Sequence, residues 1–184
     1  RVTKHYGSGF TVHVSETPFD RASTEKLHGC AGTDCLEKYG ILGPNVLMVH
    51  CVYLTDKDIR RSQYYDLKIS HNVTSNMYLS NGVAPIPKML NAGLCVSLGV
   101  DGAASNNALN VFPDMNAPTL LQKISTLSPT ALPTQTALHL VPPGGARAMR
   151  LSHAGASTAG FGAGLSARDI SGPSCTPLHG PASS

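Results

Sequence analysis

The sequence carries little charge. Lys, Arg, Asp and Glu make up 14% of 184 residues, against about 25% in an average soluble domain. The 14 Lys plus Arg against 11 Asp plus Glu leave +3 with histidine neutral. So small a surplus is too weak to argue for a surface built for nucleic acid. No apolar run approaches the roughly 20 residues of a membrane span, and no charged-then-apolar leader is visible. No Cys-x-x-Cys pair occurs: Cys30, Cys35, Cys51, Cys95 and Cys175 are odd in number and scattered. That usage predicts reduced thiols in a cytoplasmic protein rather than a disulfide framework. No internal repeat stands out. Arg1 rather than Met stands first, which fits a piece of a longer chain.

What is present is uneven. The chain is 41% hydrophobic, enough for one core. Nine of its ten Phe and Tyr residues lie in residues 1–140, and only Phe161 lies beyond. Residues 141–184 hold 28 Gly, Ala, Ser and Pro among 44. Such a stretch buries little apolar area per ordered residue, so a poorly packed tail is expected there.

Within the first 125 residues, short apolar runs alternate with helix-like stretches. The runs are Gly9–Val14, Asn45–Val52, Leu67–Ser70 and Leu94–Leu98. They are continuous rather than alternating, which suits parallel strands buried on both faces. Between them, Thr33–Tyr39 ends at Gly40, Thr55–Gln63 opens with an approximate capping box from Thr55 to Asp58, and Ile86–Ala92 is bounded by Pro87 and Gly93. Strand–helix–strand order of this kind predicts right-handed βαβ units, an α/β fold and four parallel strands.

Each strand ends on a chemically capable side chain. The first delivers His13 and, three residues on, Glu16; the second His50; the third His71; the fourth Asp101 within LGVDG. In a parallel barrel the C-terminal strand ends share one face, where active sites are built. Imidazole and carboxylate together are good ligands for zinc or a similar divalent ion. Such an ion lowers the pKa of bound water, and neighbouring carboxylate and imidazole groups move protons. Singly, each histidine also suits a hydrogen-bonded structural role, and Asp101 a turn.

The segment ISHNVTSNMYLSNGVAPIPKMLNAGLCVSLGVDGAASNNALNVF, with VHVSET and VHCVYLTDKDI upstream, resembles the amidohydrolase superfamily. More narrowly it resembles the branch of 5′-methylthioadenosine/S-adenosylhomocysteine deaminases and chlorohydrolases. The resemblance covers residues 8 to about 125 and weakens to a faint echo in DISGPSCTPLHGPAS. It implies the last four or so strands of a (β/α)8 TIM-type barrel in residues 1–140, followed by a remnant of the family's small β-domain in 141–184. It implies that His13 and Asp101 bind one divalent metal, zinc foremost, with iron or manganese as alternatives. Glu16 is then the acid/base that holds a substrate ring nitrogen, Asp101 takes a proton from water and joins Glu16 in contacting the substrate, and His50 is a catalytic group near the metal and the attacking water. His71 and Ser105 would support these groups from behind.

The family reaction is attack of metal-bound hydroxide on a purine-type or related heteroaromatic ring carbon, with loss of ammonia. Chloride leaves instead in the triazine chlorohydrolases. The family's His-x-His strand is missing: no such pair occurs in the 184 residues. Val73 stands where Pro is usual and Val100 where Thr is usual. The expected partners are a small heteroaromatic substrate and either a second copy or a complementing N-terminal half. The competing reading is a non-catalytic truncated remnant or structural module.

Overall fold

A computed structural model of the chain describes residues 5–162 and 164. The tail echo at residues 169–183 lies outside them. Four strands, β1 (Phe10–Val14), β2 (Val46–His50), β3 (Lys68–His71) and β4 (Cys95–Leu98), form one parallel sheet in the order β1-β2-β3-β4. The chain is α/β, as its pattern predicts. Between β1 and β2 run α1 (Pro18–His28) and α2 (Thr33–Lys38); between β2 and β3, α3 (Asp56–Tyr64); between β3 and β4, α4 (Val73–Tyr78) and α5 (Ile86–Asn91). After β4 come α6 (Ala103–Asn106), α7 (Val111–Thr126), α8 (Thr134–Leu140) and α9 (Pro142–Ala148).

Register sorts the two faces. Val12, Met48, Ile69 and Val96 are aligned across the four strands. They join Leu67, Ile86 and Met89 in the helix-facing core, where Met48, Leu67, Ile69, Ile86 and Met89 are fully buried. The adjacent row, His13, Val49, Ser70 and Ser97, points the other way. One strand face is therefore apolar, and the opposite face carries polar groups up to the C-terminal edge.

Local chemistry sets the helix ends. Thr17 caps α1 by accepting from the Asp20 N–H at 2.9 Å, and Pro18 opens the helix. The α3 capping box is complete, with Thr55 and Asp58 bonded reciprocally. The α1 helix carries no periodic signal in the sequence, because none of its residues is buried and it shows no apolar stripe.

One expectation is corrected. Cys30 and Cys35 form a disulfide rather than staying reduced. Gly29 and Gly32, both in the left-handed region, turn the chain after α1 and bring the two Cα atoms to 5.2 Å. Cysteine usage therefore gives no argument for a reducing compartment. Cys51 is free and buried, and Cys95 free and half-buried.

Within the Gly-, Ala-, Ser- and Pro-rich stretch, α9 packs against β4. Its small residues permit the approach: a Cβ at Gly144 would meet the Val96 carbonyl oxygen at 2.9 Å and that of His139 at 3.0 Å. Among the described residues no helix is long and apolar enough to cross a membrane.

Candidate active site

The C-terminal strand ends gather His13, Glu16, His50 and Asp101. The His13 and His50 rings are 5.1 Å apart between centroids. One ligand atom each from His13, His50 and Asp101 lies within 4.8 Å of the others. His50 Nε2 stands 3.8 Å from Glu16 Oε1 and 3.9 Å from Asp101 Oδ2. His50 is 1% exposed, whereas about a quarter of the Glu16 and Asp101 side chains faces solvent. The cleft thus has a buried imidazole at its floor and two reachable carboxylates at its rim.

The backbone at these strand ends is strained. Ser15, His50, Cys51 and Asp101 all have positive φ, 51°, 67°, 54° and 63°. Each such non-glycine residue costs about 1–2 kcal/mol. The surrounding packing must outweigh that cost, as is common where side chains are aimed for function.

A second set of residues orients the first. His50 Nδ1 lies 2.8 Å from Asn76 Oδ1. With that oxygen as acceptor, Nδ1 carries the proton and Nε2 keeps its lone pair toward the carboxylates. Asp101 Oδ2 accepts from Ser75 Oγ at 2.5 Å and Ser105 Oγ at 3.0 Å. Burial alone would raise the Asp101 carboxyl. The donors Ser75, Ser105 and the Gly102 backbone, with His50 nearby, outweigh it and hold the group below the usual carboxylate value. Glu16 Oε1 accepts from Asn81 Nδ2 at 2.8 Å. The sequence pattern does not single out Ser75, Asn76 or Asn81. The first two lie on α4, whose contacts with His50 and Asp101 are fixed by tertiary packing.

Of the two residues expected to support the site, Ser105 bonds Asp101, while His71 bonds none of the site groups. Neither His71 ring nitrogen meets a hydrogen-bond partner among the described residues. Burial, with His50 as a smaller cause, lowers its pKa to about 4 from 6.5. The unfolded chain therefore takes up this proton first as pH falls. Stability should be full above about pH 6.5, decline as pH falls to about 4, and lose nothing further from this group below that. Urea melts of wild type and His71→Leu across that window check this; the variant should show a flatter pH dependence.

The donor set suits a divalent cation: two imidazoles and one ionised carboxylate converge, and Asn76 and the serines orient them. Four parallel strands with such a cluster at their C-terminal ends have the form of part of a barrel whose functional face is that end. The chain belongs to the amidohydrolase family, which it matches over residues 1–176.

It is 44% identical over 143 residues to a 5′-deoxyadenosine deaminase of Methanosarcina barkeri, covering 78% of this chain and 33% of the relative. It is 36% identical over 172 residues to a 5-methylthioadenosine/S-adenosylhomocysteine deaminase of Nitratidesulfovibrio vulgaris, covering 94% and 39%. Among solved structures it matches an adenosine deaminase of Xanthomonas campestris with bound zinc at a TM-score of 0.91 and 27% identity, covering 97% of this chain and 41% of that one. An atrazine chlorohydrolase of Arthrobacter aurescens, at 24% identity and TM-score 0.91, shares the fold, with 97% and 40% covered. The chain thus spans 33% to 41% of the length of these proteins, and its four strands are part of their barrel.

Proposed function

We propose that this chain supplies one side of the active site of a metal-dependent hydrolytic deaminase acting on a purine-type ring. The observation that carries the reading is the convergence of His13, His50 and Asp101, with Glu16 held beside them by Asn81. The 5′-deoxyadenosine and methylthioadenosine deaminases similar to it support the substrate class.

His13, His50 and Asp101 would hold the cation, zinc first among candidates. When bound, such a cation supplies Lewis acidity to the cleft. Glu16 Oε1, fixed by Asn81, meets a nitrogen of the substrate ring and carries a proton to it. Asp101, ionised because Ser75 and Ser105 hold its carboxylate, accepts the proton of the attacking water. His50, buried and held at Nδ1 by Asn76, would offer its Nε2 to that cation from the floor of the cleft. That proton then passes from Asp101 to the departing amino group, which leaves as ammonia, and the remaining hydroxyl proton returns to Glu16 as the ring carbon keeps the new oxygen.

These 184 residues contain no His-x-His pair, so the chain alone is expected to release no measurable ammonia. Mixed with the first part of the Methanosarcina barkeri relative, which would pair along β1 and β4, it should deaminate 5′-deoxyadenosine or 5′-methylthioadenosine. Glu16→Gln in the chain should abolish that activity. Ammonia release unchanged by Glu16→Gln contradicts the assignment. Chloride rather than ammonia, released from a chlorotriazine, would move the chain to the chlorohydrolase reading, and inactivity on every ring substrate to the non-catalytic one.

A further inference from the structure

Asp114 lies outside the cleft, in the first turn of α7, and is 1% exposed. No cation pairs with it among the described residues. A buried carboxylate without a counter-ion is costly unless donors satisfy it. Two do, one on each oxygen: Thr74 Oγ1 donates to Oδ1, and Asn106 Nδ2 donates to Oδ2 at 3.0 Å.

Both donors are attached to the site. Thr74 immediately precedes Ser75 and Asn76 on α4, which hold Asp101 and His50. Asn106 is the last residue of α6 and also donates to the Val100 carbonyl at 2.6 Å, one residue before Asp101. Ser105, the other donor to Asp101, is its neighbour.

We infer that Asp114 is a positioning residue for the metal centre. Through Thr74 it sets the placement of α4 beneath His50 and Asp101. Through Asn106 it sets the strained turn that presents Asp101. This rests on the metal-centre reading above. A carboxylate suits the task because both of its oxygens accept; an amide offers one acceptor. Asn106 Nδ2 can only donate, whereas the Thr74 hydroxyl can reverse and accept from an amide. Asparagine should therefore replace Asp114 in part, and leucine not at all.

The test combines zinc titration of the 184-residue chain with nitrogen-15 histidine spectra of the metal-free chain. Asp114→Leu should weaken zinc binding about 10–100-fold, the range seen when groups behind metal ligands are removed. It should also lose the slowly exchanging His50 Nδ1–H signal. Asp114→Asn should fall between Leu and wild type. If Asp114→Leu fails to fold, Thr74→Val removes one donor and should cost about 10-fold.

Zinc affinity within threefold of wild type in a folded but less stable Asp114→Leu chain, with the His50 signal intact, would overturn the inference and leave Asp114 a purely structural group. If the wild-type chain takes up no zinc, the metal-centre reading fails, and the metal-free spectra alone decide: loss of the His50 signal in the variant supports the positioning role, and retention overturns it.

Discussion

Replacing Asp101 with alanine should weaken zinc binding by the chain at least about 100-fold. Loss of a residue that only orients a ligand costs about 10–100-fold, and loss of the ligand itself should reach or exceed the upper end. Asp101 is the carboxylate of the three-residue cluster. Without it, His13 and His50 face the ion with two neutral imidazoles and no negative charge. Ser75→Ala and Ser105→Ala each remove one donor to Oδ2 and should cost about 10-fold. Isothermal titration of the four chains under one buffer measures the series. An Asp101→Ala chain that binds zinc within threefold of wild type contradicts the assignment.

Replacing Asp58 with alanine should destabilise the fold by about 3–5 kcal/mol, the cost of breaking a buried charged network by removing one partner. Asp58 is 2% exposed and accepts five hydrogen bonds. The Thr33 N–H and hydroxyl reach it at 2.9 and 2.7 Å, the Thr55 N–H and hydroxyl at 2.9 and 2.6 Å, and Arg21 at 3.1 Å. Burial alone would raise this carboxyl, but the Thr55 and Thr33 donors outweigh it and hold it below the usual value.

The same residue therefore caps α3, anchors the start of α2 and fixes Arg21 on α1. Arg21 in turn bonds Ser15 Oγ and the Tyr53 carbonyl, in the loops that follow β1 and β2. Total stabilities of about 5–15 kcal/mol are usual, so the loss would be visible as a large fall in urea midpoint. A fall worth less than about 1 kcal/mol would show that the donors find water or new partners instead.

The sequence discloses more of the site than of its supports. His13, Glu16, His50 and Asp101 are legible because each lies at the end of an apolar run or within three residues after it, and parallel strands bring their C-terminal ends together whatever the connections do. The strands themselves are legible for the same reason, since their continuous runs match the observed spans within about two residues. Asn76, Ser75 and Asn81 are not legible in this way. They act across 26, 26 and 65 residues of separation, and only the docking of α4 and its following turn decides which strand end they meet. The α1 helix announces itself through Thr17, Pro18 and Gly29 but has no buried face to reveal it by periodicity. The Cys30–Cys35 pair depends on two left-handed glycines between flanking helices, which cysteine spacing does not convey. Asp114 reads as an ordinary acidic residue in a first helical turn; its burial and its two donors appear only in three dimensions.

If His13, His50 and Asp101 form one divalent metal centre, X-ray absorption at the zinc edge of the chain loaded with one equivalent of zinc should show it. The expected result is one tightly bound ion per chain with two imidazole nitrogens and oxygen in its shell, and the loss of one imidazole in His13→Ala. Sulfur in the shell, or no retained ion at one equivalent, would contradict it.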